Sequence, residues 1–386
     1  MIVWTTRDAG EVFERQYAFR FCRKMTDRLT AARIIDVDPE STLGELGSVF
    51  EGERDVLFVD DPETIISGVA RDMMRKTLER KSGLAVGPVM NVSSQAEQTA
   101  ELPFRYLDLA TFQEACEASA EKHGERSVAA NELDPACVLI SARALASVPP
   151  GTKISQITEN LDRDLHIATG ALVHRFSRYF SSPRTDLANL VPSQAGKVLD
   201  IGCAKGGYGR TLKNMRPGIY LVGIELYPEL APHAEQWYDR VITGTIEEID
   251  IVDDFDVINM GDILEHLQNP WDSLAEMHSL LKPGGFLVGS VPNIGHWTIV
   301  RSLLEGNFEY IPFGLLCVGH LRFFTEKTLI DSLQDAGFAL DILEKEKIPP
   351  TPKGIGFIDE MVKSGWGDRI SLATNEFVFR ARKVSR

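Results

Sequence analysis

The stretch KVLDIGCAKGGYG, residues Lys197 to Gly209, joins a short apolar run to a cluster of glycines. Val198, Leu199 and Ile201 form the run, which is typical of a buried strand in a parallel sheet. The glycines that follow permit positive φ angles and let the backbone approach a ligand closely. They are Gly202, Gly206, Gly207 and Gly209. The stretch therefore predicts a strand, a tight turn and a helix that begins near Tyr208.

A glycine turn of this kind has two common ligands. A dinucleotide-binding turn follows the pattern G-x-G-x-x-G/A, but Ala204 stands where that pattern has its second glycine. The nucleoside site of S-adenosylmethionine (SAM) methyltransferases instead has an acid just before the first glycine, where it can face the cationic end of the cofactor. Asp200 is such an acid, and a carboxylate there would repel a pyrophosphate. The turn favours SAM over a dinucleotide, with a glycine turn in an unrelated α/β protein as the third interpretation.

Four segments further along the chain have the order expected of the rest of such a domain. Ile219–Leu226 reads as a second strand that ends in Glu225, an acid able to accept both ribose hydroxyls. Asp253–Pro270 reads as a strand, a loop and a helix start. Leu281–Asn293 reads as a helix end, a turn and a strand, and His320–Phe338 adds a helix and a turn. Their spacing supports the SAM interpretation.

Together these segments resemble the class I SAM-dependent methyltransferase family, over roughly residues 186–383. The most similar branch has LEH after the fourth strand, here Leu264–His266, and HxRFF nearer the C-terminus, here His320–Phe324. That branch includes ubiquinone-type O-methyltransferases and methyltransferases of sugar and polysaccharide clusters. The resemblance implies an α/β protein whose Rossmann-like, seven-stranded SAM methyltransferase domain follows a smaller α/β domain. Ala204 departs from the common GxGxG form, and we expect little cost if this alanine keeps a negative φ.

The resemblance also implies which residues hold the cofactor, SAM. The cofactor-binding residues that it indicates are Asp200, Gly202, Cys203, Ala204, Gly206, Glu225, Leu226, Thr245, Ile246, Glu247, Asn259, Met260 and Gly261. Among them, Glu225 would hold the ribose, and residues 259–261 would end the fourth strand beside the methyl group. Thr245 replaces an aspartate that usually accepts from the adenine amine, so a hydroxyl or a backbone group would have to make that contact.

Methyl transfer from SAM requires mainly that the protein align the acceptor and exclude water. A hydroxyl acceptor also gains from a general base, and the two candidate bases are His266 and His320. The long insertion at residues 295–319 is a candidate lid over the acceptor, with extra core or a dimer surface as the alternatives. The candidate substrate-binding residues are His296, Trp297, Tyr310 and Arg322. No metal-ligand spacing is visible, so we predict no metal site.

The N-terminal half, residues 1–150, is predicted to form its own α/β domain. The segments Val56–Ile65, Leu84–Asn91 and Leu133–Leu145 faintly resemble the nucleotide-sugar domain of family 2 glycosyltransferases, where carboxylates after a strand hold a divalent metal. Asp60 and Asp61 would supply those carboxylates, although the D-x-D pattern is absent and little chain precedes them. The alternative is a pair of helix-capping acids in a domain that binds a partner or positions one.

The domain boundary is predicted where prolines and a glycine cluster, at Ser147–Lys153. Residues 151–386 would then form the methyltransferase domain. Apolar residues at intervals of three to four predict that this domain begins with a linking helix over Ile154–Phe180.

Composition limits the partners and the compartment. The net charge of −15 argues against a broad nucleic-acid-binding face, and residues 259–262, NMGD, lack the Pro-Pro-aromatic loop that grips a flipped base. The five cysteines are scattered, which favours the reducing cytoplasm. No apolar run is long enough to span a membrane, and the N-terminus lacks a signal-peptide pattern.

The combined prediction is a cytoplasmic SAM-dependent methyltransferase. Its acceptor would be a small molecule, or a sugar or glycan, in cell-surface polysaccharide or secondary-metabolite biosynthesis. A non-catalytic scaffold with the SAM fold and a bifunctional protein with a sugar-nucleotide-binding N-terminal domain are the alternatives. Whether the chain forms a homo-oligomer is left open.

Overall fold

The computed structural model describes residues 1–7, 10–81, 84–161, 164–176, 179–246, 248 and 254–384. The chain divides into two compact units, Met1–Arg178 and Tyr179–Arg386. The helices are α1 (Phe13–Thr30), α2 (Gly68–Lys81), α3 (Leu109–His123), α4 (Ala142–Leu145), α5 (Thr185–Leu190), α6 (Gly207–Met215), α7 (Ala231–Ala234), α8 (Pro270–Leu280), α9 (Trp297–Leu304), α10 (Glu326–Asp335), α11 (Pro352–Lys363) and α12 (Arg369–Ala373). The strands are β1 (Ile2–Thr5), β2 (Ile34–Val37), β3 (Asp55–Val59), β4 (Thr64–Ile65), β5 (Ala85–Met90), β6 (Ser127–Ala130), β7 (Cys137–Ser141), β8 (Leu165–Arg175), β9 (Lys197–Ile201), β10 (Tyr220–Glu225), β11 (Arg240–Thr243), β12 (Phe255–Gly261), β13 (Leu281–Pro292), β14 (Phe338–Glu346) and β15 (Glu376–Lys383).

The C-terminal unit contains the predicted seven-stranded sheet. Its strand order is β11-β10-β9-β12-β13-β15-β14. The first five of these strands run parallel, while β15 runs antiparallel to both β13 and β14. The glycine turn follows β9, which lies between β10 and β12, at the edge where the parallel strands end. Ligands of open α/β sheets bind at this carboxyl edge.

Helices cover both faces of this sheet, and the apolar run of β9 packs on both. Leu199 and Ile201 belong to the core on one face, whereas Val198 belongs to the core on the other. Burial of each such side chain stabilises the fold by about 1.5–3 kcal/mol. Burial on both faces therefore holds β9 and the start of the turn that follows it in place.

The N-terminal unit has a mixed eight-stranded sheet. Its order is β2-β1-β3-β7-β5-β8-β4, and β6 pairs with β8 beside this path. At the carboxyl end of β3, Asp60 accepts hydrogen bonds from Arg7 and Thr5. Asp61 accepts from Arg175 Nε at 2.8 Å. Both candidate metal-binding carboxylates are thus engaged in ion pairs, and the role of this unit stays a prediction.

The predicted linking helix over Ile154–Phe180 is wrong. Short 3₁₀ turns precede the strand β8, which pairs in parallel with β5 and antiparallel with β4 and β6. The register along β5 shifts between the pairs Pro88–Ala168 and Val89–Leu172. That irregularity breaks the two-residue alternation of a strand and leaves apolar residues at helix-like intervals. The units accordingly separate between residues 178 and 179, rather than near residue 150.

No helix in the described ranges is long and apolar enough to cross a membrane.

Candidate active site

The glycine turn after β9 is held by close backbone contacts. Gly202 and Gly206 have φ angles of 75° and 81°, in the left-handed region. A Cβ atom on Gly202 would lie 2.4 Å from Ile263 Cδ1, and one on Gly207 would lie 2.1 Å from the carbonyl oxygen of Ser182. Side chains at these positions would displace neighbouring groups, so the turn requires glycine.

Ala204 adopts a left-handed conformation too, with φ at 47°. The expectation that this alanine keeps a negative φ is therefore wrong. Its amide N–H donates a 2.7 Å hydrogen bond to Glu225 Oε2, which joins the turn to the end of β10. A strained alanine held by a buried carboxylate is an arrangement that proteins keep mainly at functional sites.

Glu225 is buried at the carboxyl end of β10. Its Oε1 accepts a second backbone hydrogen bond, from the amide of Tyr227 at 2.9 Å. A carboxylate at the carboxyl end of a parallel strand is able to accept hydrogen bonds from the hydroxyls of a ribose. Leu226, the next residue, is half exposed. The position of Glu225 fits the predicted ribose contact.

Asp200 and Asn259 lie side by side at the ends of β9 and β12. Asp200 Oδ1 accepts from Asn259 Nδ2 at 2.6 Å, and Oδ2 accepts from the Tyr238 hydroxyl. Burial raises the pKa of Asp200 to about 6, while these two hydrogen bonds oppose the shift. Asn259 Oδ1 is buried without a hydrogen-bond partner. This orphaned acceptor fits the amino group of SAM, with Asp200 orienting the asparagine beside it.

Several predicted cofactor residues have side chains in the core. Met260, Ile246 and Cys203 are all buried, and burial raises the pKa of the Cys203 thiol far above its usual range. Gly261 packs closely, because a Cβ there would lie 2.4 Å from Leu187 Cδ1. Only the backbone of these residues is suited to a cofactor contact.

The structure describes only part of the segment that was predicted to contact the adenine. The Thr245 carbonyl oxygen accepts from the amide of residue 248 at 3.2 Å. Glu247 lies outside the described residues.

The fold joins the LEH and HxRFF motifs. The backbone amides of Leu321 and Arg322 donate to the carbonyl oxygen of Glu265, at 2.7 and 3.0 Å. These bonds bring the imidazole rings of His266 and His320 into an edge-to-face contact, with their centroids 4.8 Å apart. The two candidate bases therefore share one site.

Glu265, His266 and His320 form a cluster of potential metal ligands, within which one atom from each residue lies within 4.8 Å of the others. His320 Nδ1 lies 3.2 Å from the Leu315 carbonyl oxygen, to which only an N–H can donate. Nε2 of His320 then carries the lone pair, and it faces Glu265 Oε1 at 3.9 Å. Burial lowers the pKa of His320 to about 4.

Glu265 makes this cluster unusual. Its side chain is 1% exposed, and neither carboxylate oxygen has a hydrogen-bond partner. Burial raises the pKa of this carboxyl well above its usual range, and the charge of Asp262 adds to the shift. Lone pairs that face one another without a donor are suited to a shared proton or a divalent cation. The fold thus brings together three potential ligands that no spacing in the sequence had indicated, and the absence of a metal site stays a prediction.

Comparison with known proteins agrees with this geometry. A family model described as a methyltransferase domain matches residues 165–342. The ubiquinone biosynthesis O-methyltransferase of Cereibacter sphaeroides (strain ATCC 17025 / ATH 2.4.3) is 28% identical over 227 residues, covering 54% of this chain and 84% of that protein. The Roseobacter denitrificans protein of the same name is 29% identical over 169 residues, covering 39% and 63%.

The C-terminal unit is a class I SAM-dependent methyltransferase domain.

Similar solved structures include a SAM-dependent methyltransferase from Mesorhizobium loti, with a TM-score of 0.37 and 19% identity, covering 52% of this chain and 96% of that one. Another is the plantazolicin methyltransferase BpumL in complex with SAH, with a TM-score of 0.37 and 15% identity, covering 54% and 85%.

The four predicted substrate-binding residues of the methyltransferase have different surroundings. Trp297 is 2% exposed and packs with Ile358 and Leu372 in a small core, so its expected role against an acceptor is wrong. His296 caps α9, because its Nδ1 accepts from the backbone amide of Thr298. Tyr310 is partly exposed. The guanidinium of Arg322 donates to the backbone carbonyl oxygens of Leu321 and Gln268.

Sequence analysis missed a charged cluster around Arg184, at the N-terminus of α5. Its Nη1 donates to Asp262 Oδ2 at 2.5 Å, and its Nη2 donates to Asp186 Oδ2 at 2.7 Å. The same Nη2 lies 2.9 Å from both Glu376 Oε1 and Ser290 Oγ. Arg184 and Glu376 are 192 positions apart, so no local pattern connects them. The signal in the sequence that could have indicated this cluster was Asp262, an acid directly after β12.

Proposed function

We propose that the methyltransferase O-methylates a small molecule and that its acceptor oxygen lies at the Glu265–His266–His320 cluster. The observation that carries this proposal is a buried carboxylate without hydrogen-bond donors beside two imidazoles. A hydroxyl must lose its proton as it is methylated, and such a cluster can take up that proton or bind the oxygen through a cation.

Different residues of the chain bind the cofactor and contact the acceptor. The glycine turn, Glu225 and the Asp200–Asn259 pair hold the cofactor, and SAM supplies an electrophilic methyl group when bound. His266 is partly exposed, whereas His320 is buried behind it, so His266 is the group that meets the acceptor. The tautomer of His320 is set by the Leu315 carbonyl, and its lone pair orients the remainder of the cluster.

A divalent cation is the second way in which this cluster could act. Glu265, His266 and His320 would hold it, and the cation would lower the pKa of a bound hydroxyl. Base catalysis by histidine and cation-assisted catalysis predict different responses to a chelator, so they can be separated.

A phenolic hydroxyl is the first acceptor to test, because the relatives are named as ubiquinone biosynthesis O-methyltransferases. Sugar nucleotides and glycans form the second group, as the polysaccharide interpretation requires. Labelled SAM and a panel of both groups would show which is methylated. A cytoplasmic location stays a prediction, and the oligomeric state stays open.

The decisive experiment measures kcat and SAM affinity for His266→Ala, His320→Ala and Glu265→Gln. We expect kcat to fall by about 10²–10⁴ for His266→Ala, with SAM affinity almost unchanged. His278→Ala is the matched control, because its imidazole meets the Val384 carbonyl at the opposite edge of the sheet. Wild-type kcat in all three cluster variants would contradict the proposal.

A chelator then separates the two mechanisms. Loss of activity in EDTA, with recovery on addition of Mg²⁺ or Zn²⁺, would assign a cation to the cluster. Full activity in EDTA would assign the proton transfer to His266.

A further inference from the structure

Residues 311–318, in the second half of the insertion after β13, form a closed loop. The amide of Val318 donates to the Ile311 carbonyl at 2.9 Å, and the amide of Ile311 donates to the Leu316 carbonyl at 2.9 Å. Phe313 lies between these ends and is buried. Because the two ends of the loop are tied together, we expect the loop to move as one piece.

The loop packs on the segment that begins the C-terminal unit. The ring of Phe313 stacks on that of Tyr179 with their centroids 4.2 Å apart, and it meets the ring of Phe180 edge to face at 5.7 Å. The rings of Tyr179 and Phe180 are also in edge-to-face contact, at 5.1 Å. Aromatic rings in these arrangements attract one another beyond the burial of their surface, so this three-ring contact holds the loop on the segment.

The same segment contacts the glycine turn. The carbonyl oxygen of Phe180 accepts a 3.1 Å hydrogen bond from the amide of Lys205. Two residues further on, the segment meets the start of α6, since a Cβ on Gly207 would lie 2.1 Å from the carbonyl oxygen of Ser182. The turn therefore cannot shift against the segment without disturbing these contacts.

The loop also contacts His320 of the candidate base cluster. The Leu315 carbonyl, two residues after Phe313, is the acceptor for Nδ1 of His320. The amide of His320 donates to the Cys317 carbonyl at 3.0 Å. A continuous series of contacts thus joins the glycine turn to the candidate bases, and the three-ring contact is its middle step.

We propose that Phe313 is a positioning residue, which couples occupation of the glycine turn to the position of the loop and of His320. A bound cofactor orders the turn, the turn orders residues 179–182 through the Phe180 carbonyl, and the three-ring contact then fixes the loop. The acceptor site is accordingly completed on protein that already carries SAM. This consequence for the acceptor rests on the proposed function, whereas the coupling is measured without an acceptor.

Hydrogen exchange of the full-length protein, followed by mass spectrometry with and without saturating S-adenosylhomocysteine (SAH), tests the coupling. We expect SAH to slow exchange of the amides of residues 311–320 by about fivefold or more. Phe313→Ala should still bind SAH but lose this protection. Phe308→Ala is the matched control, because Phe308 belongs to the same insertion but packs on Tyr310 and Phe323, and it should keep the protection.

Calorimetry with SAH adds a measurement that a merely loosened loop would not change. Coupling is reciprocal, so the SAH affinity of Phe313→Ala should fall by up to the factor by which SAH slows exchange in the wild type. Tyr179→Ala keeps the proposal testable if Phe313→Ala fails to fold, because Tyr179 is 37% exposed. It should lose protection and affinity in the same direction, while Tyr179→Phe retains the ring and should keep both.

Two results would overturn the proposal. One is exchange of residues 311–320 that SAH leaves unchanged in the wild type. The other is a folded Phe313→Ala or Tyr179→Ala protein with the protection and the SAH affinity of the wild type. Wild-type kcat in His266→Ala would contradict the proposed function and leave this coupling intact, so the two failures are distinguishable.

Discussion

Ala204 shows at the residue scale how the cofactor turn combines strain with support. An alanine in the left-handed region costs about 1–2 kcal/mol. The hydrogen bond from its amide to Glu225 offsets part of that cost, because a charge-assisted bond of this kind contributes about 1.5–3 kcal/mol. The turn is therefore stable only while the carboxylate is in place.

Replacement of Ala204 by glycine should relieve the strain. We expect Ala204→Gly to raise the free energy of unfolding by about 0.5–1 kcal/mol, since greater freedom of the unfolded chain offsets part of the relief. Urea denaturation would measure this change. Ala188→Gly, inside α5, should lower the stability instead. A loss of stability in Ala204→Gly would show that the strain is absent.

Glu225→Gln tests the ribose contact with little change of volume. The amide nitrogen of glutamine cannot accept, so a backbone N–H or a ribose hydroxyl loses its partner. SAM affinity should fall at least about tenfold, because one charge-assisted bond is worth about 1.5–3 kcal/mol. Calorimetry would measure it, with Asp239→Asn as a control carboxylate away from the turn. An affinity equal to that of the wild type would remove the assignment.

His296 should make the fold sensitive to acid. Burial lowers its pKa to about 3, whereas the unfolded chain titrates near 6.5. Between these values the unfolded state binds more protons, so stability falls as the pH drops below about 6.5. By pH 4.5 the loss from this residue should reach about 2.7 kcal/mol. His296→Asn keeps an acceptor for the helix cap and should lose less stability over the same range in thermal or urea unfolding. Parallel pH curves would contradict the assignment.

At the scale of elements, α9 and α11 depend on close contact between one glycine and one indole. A Cβ on Gly354 would lie 2.6 Å from the ring of Trp297, which is itself buried. Gly356 lies on the same helix, and a Cβ there would meet nothing within 4 Å. The two glycines thus lie two residues apart on one helix and have different surroundings.

Alanine at these two positions should have opposite effects. Gly356→Ala should stabilise the fold by about 0.5–1 kcal/mol, because alanine is the better helix former. Gly354→Ala makes the same gain but forces Trp297 aside, at a cost of about 1–3 kcal/mol, so its net effect should be destabilising. Urea unfolding of both variants would compare them directly, and equal effects would show that α9 does not pack as described.

At the scale of the whole molecule, the position of β8 decides where the chain can be divided. This strand pairs with three strands of the N-terminal unit, whereas all seven strands of the methyltransferase sheet lie after residue 179. The segment at residues 179–184 belongs with the methyltransferase, because the Phe180 carbonyl accepts from Lys205 of the glycine turn.

A protein of residues 179–386 should therefore fold and bind SAM by itself. A protein of residues 152–386 would carry β8 without its partners, and an unpaired apolar strand promotes aggregation. Size-exclusion chromatography and SAM calorimetry of both would test this. If only the longer protein were soluble and bound SAM, residues 152–178 would belong to the methyltransferase after all.

The features that could be predicted from the sequence alone are those set by residues close together along the chain. An apolar run followed by glycines predicted β9 and its turn, and an acid at a strand end predicted the place of Glu225. The order of such segments carried the family resemblance, and the resemblance implied the seven-stranded sheet.

Tertiary structure decided what depends on distant residues. The apolar residues of β8 recur at helix-like intervals. Only the pairing of β8 with the strands beside it, with its shift in register along β5, shows that this segment is an irregular strand. Glu265 and His320 become neighbours through backbone hydrogen bonds between two remote motifs, and Arg184 meets Glu376 across most of the domain. The backbone angle of Ala204 is likewise imposed by the turn and by Glu225, since an alanine alone would avoid it. Local patterns specify elements, whereas the charges and strain of the site arise where those elements meet.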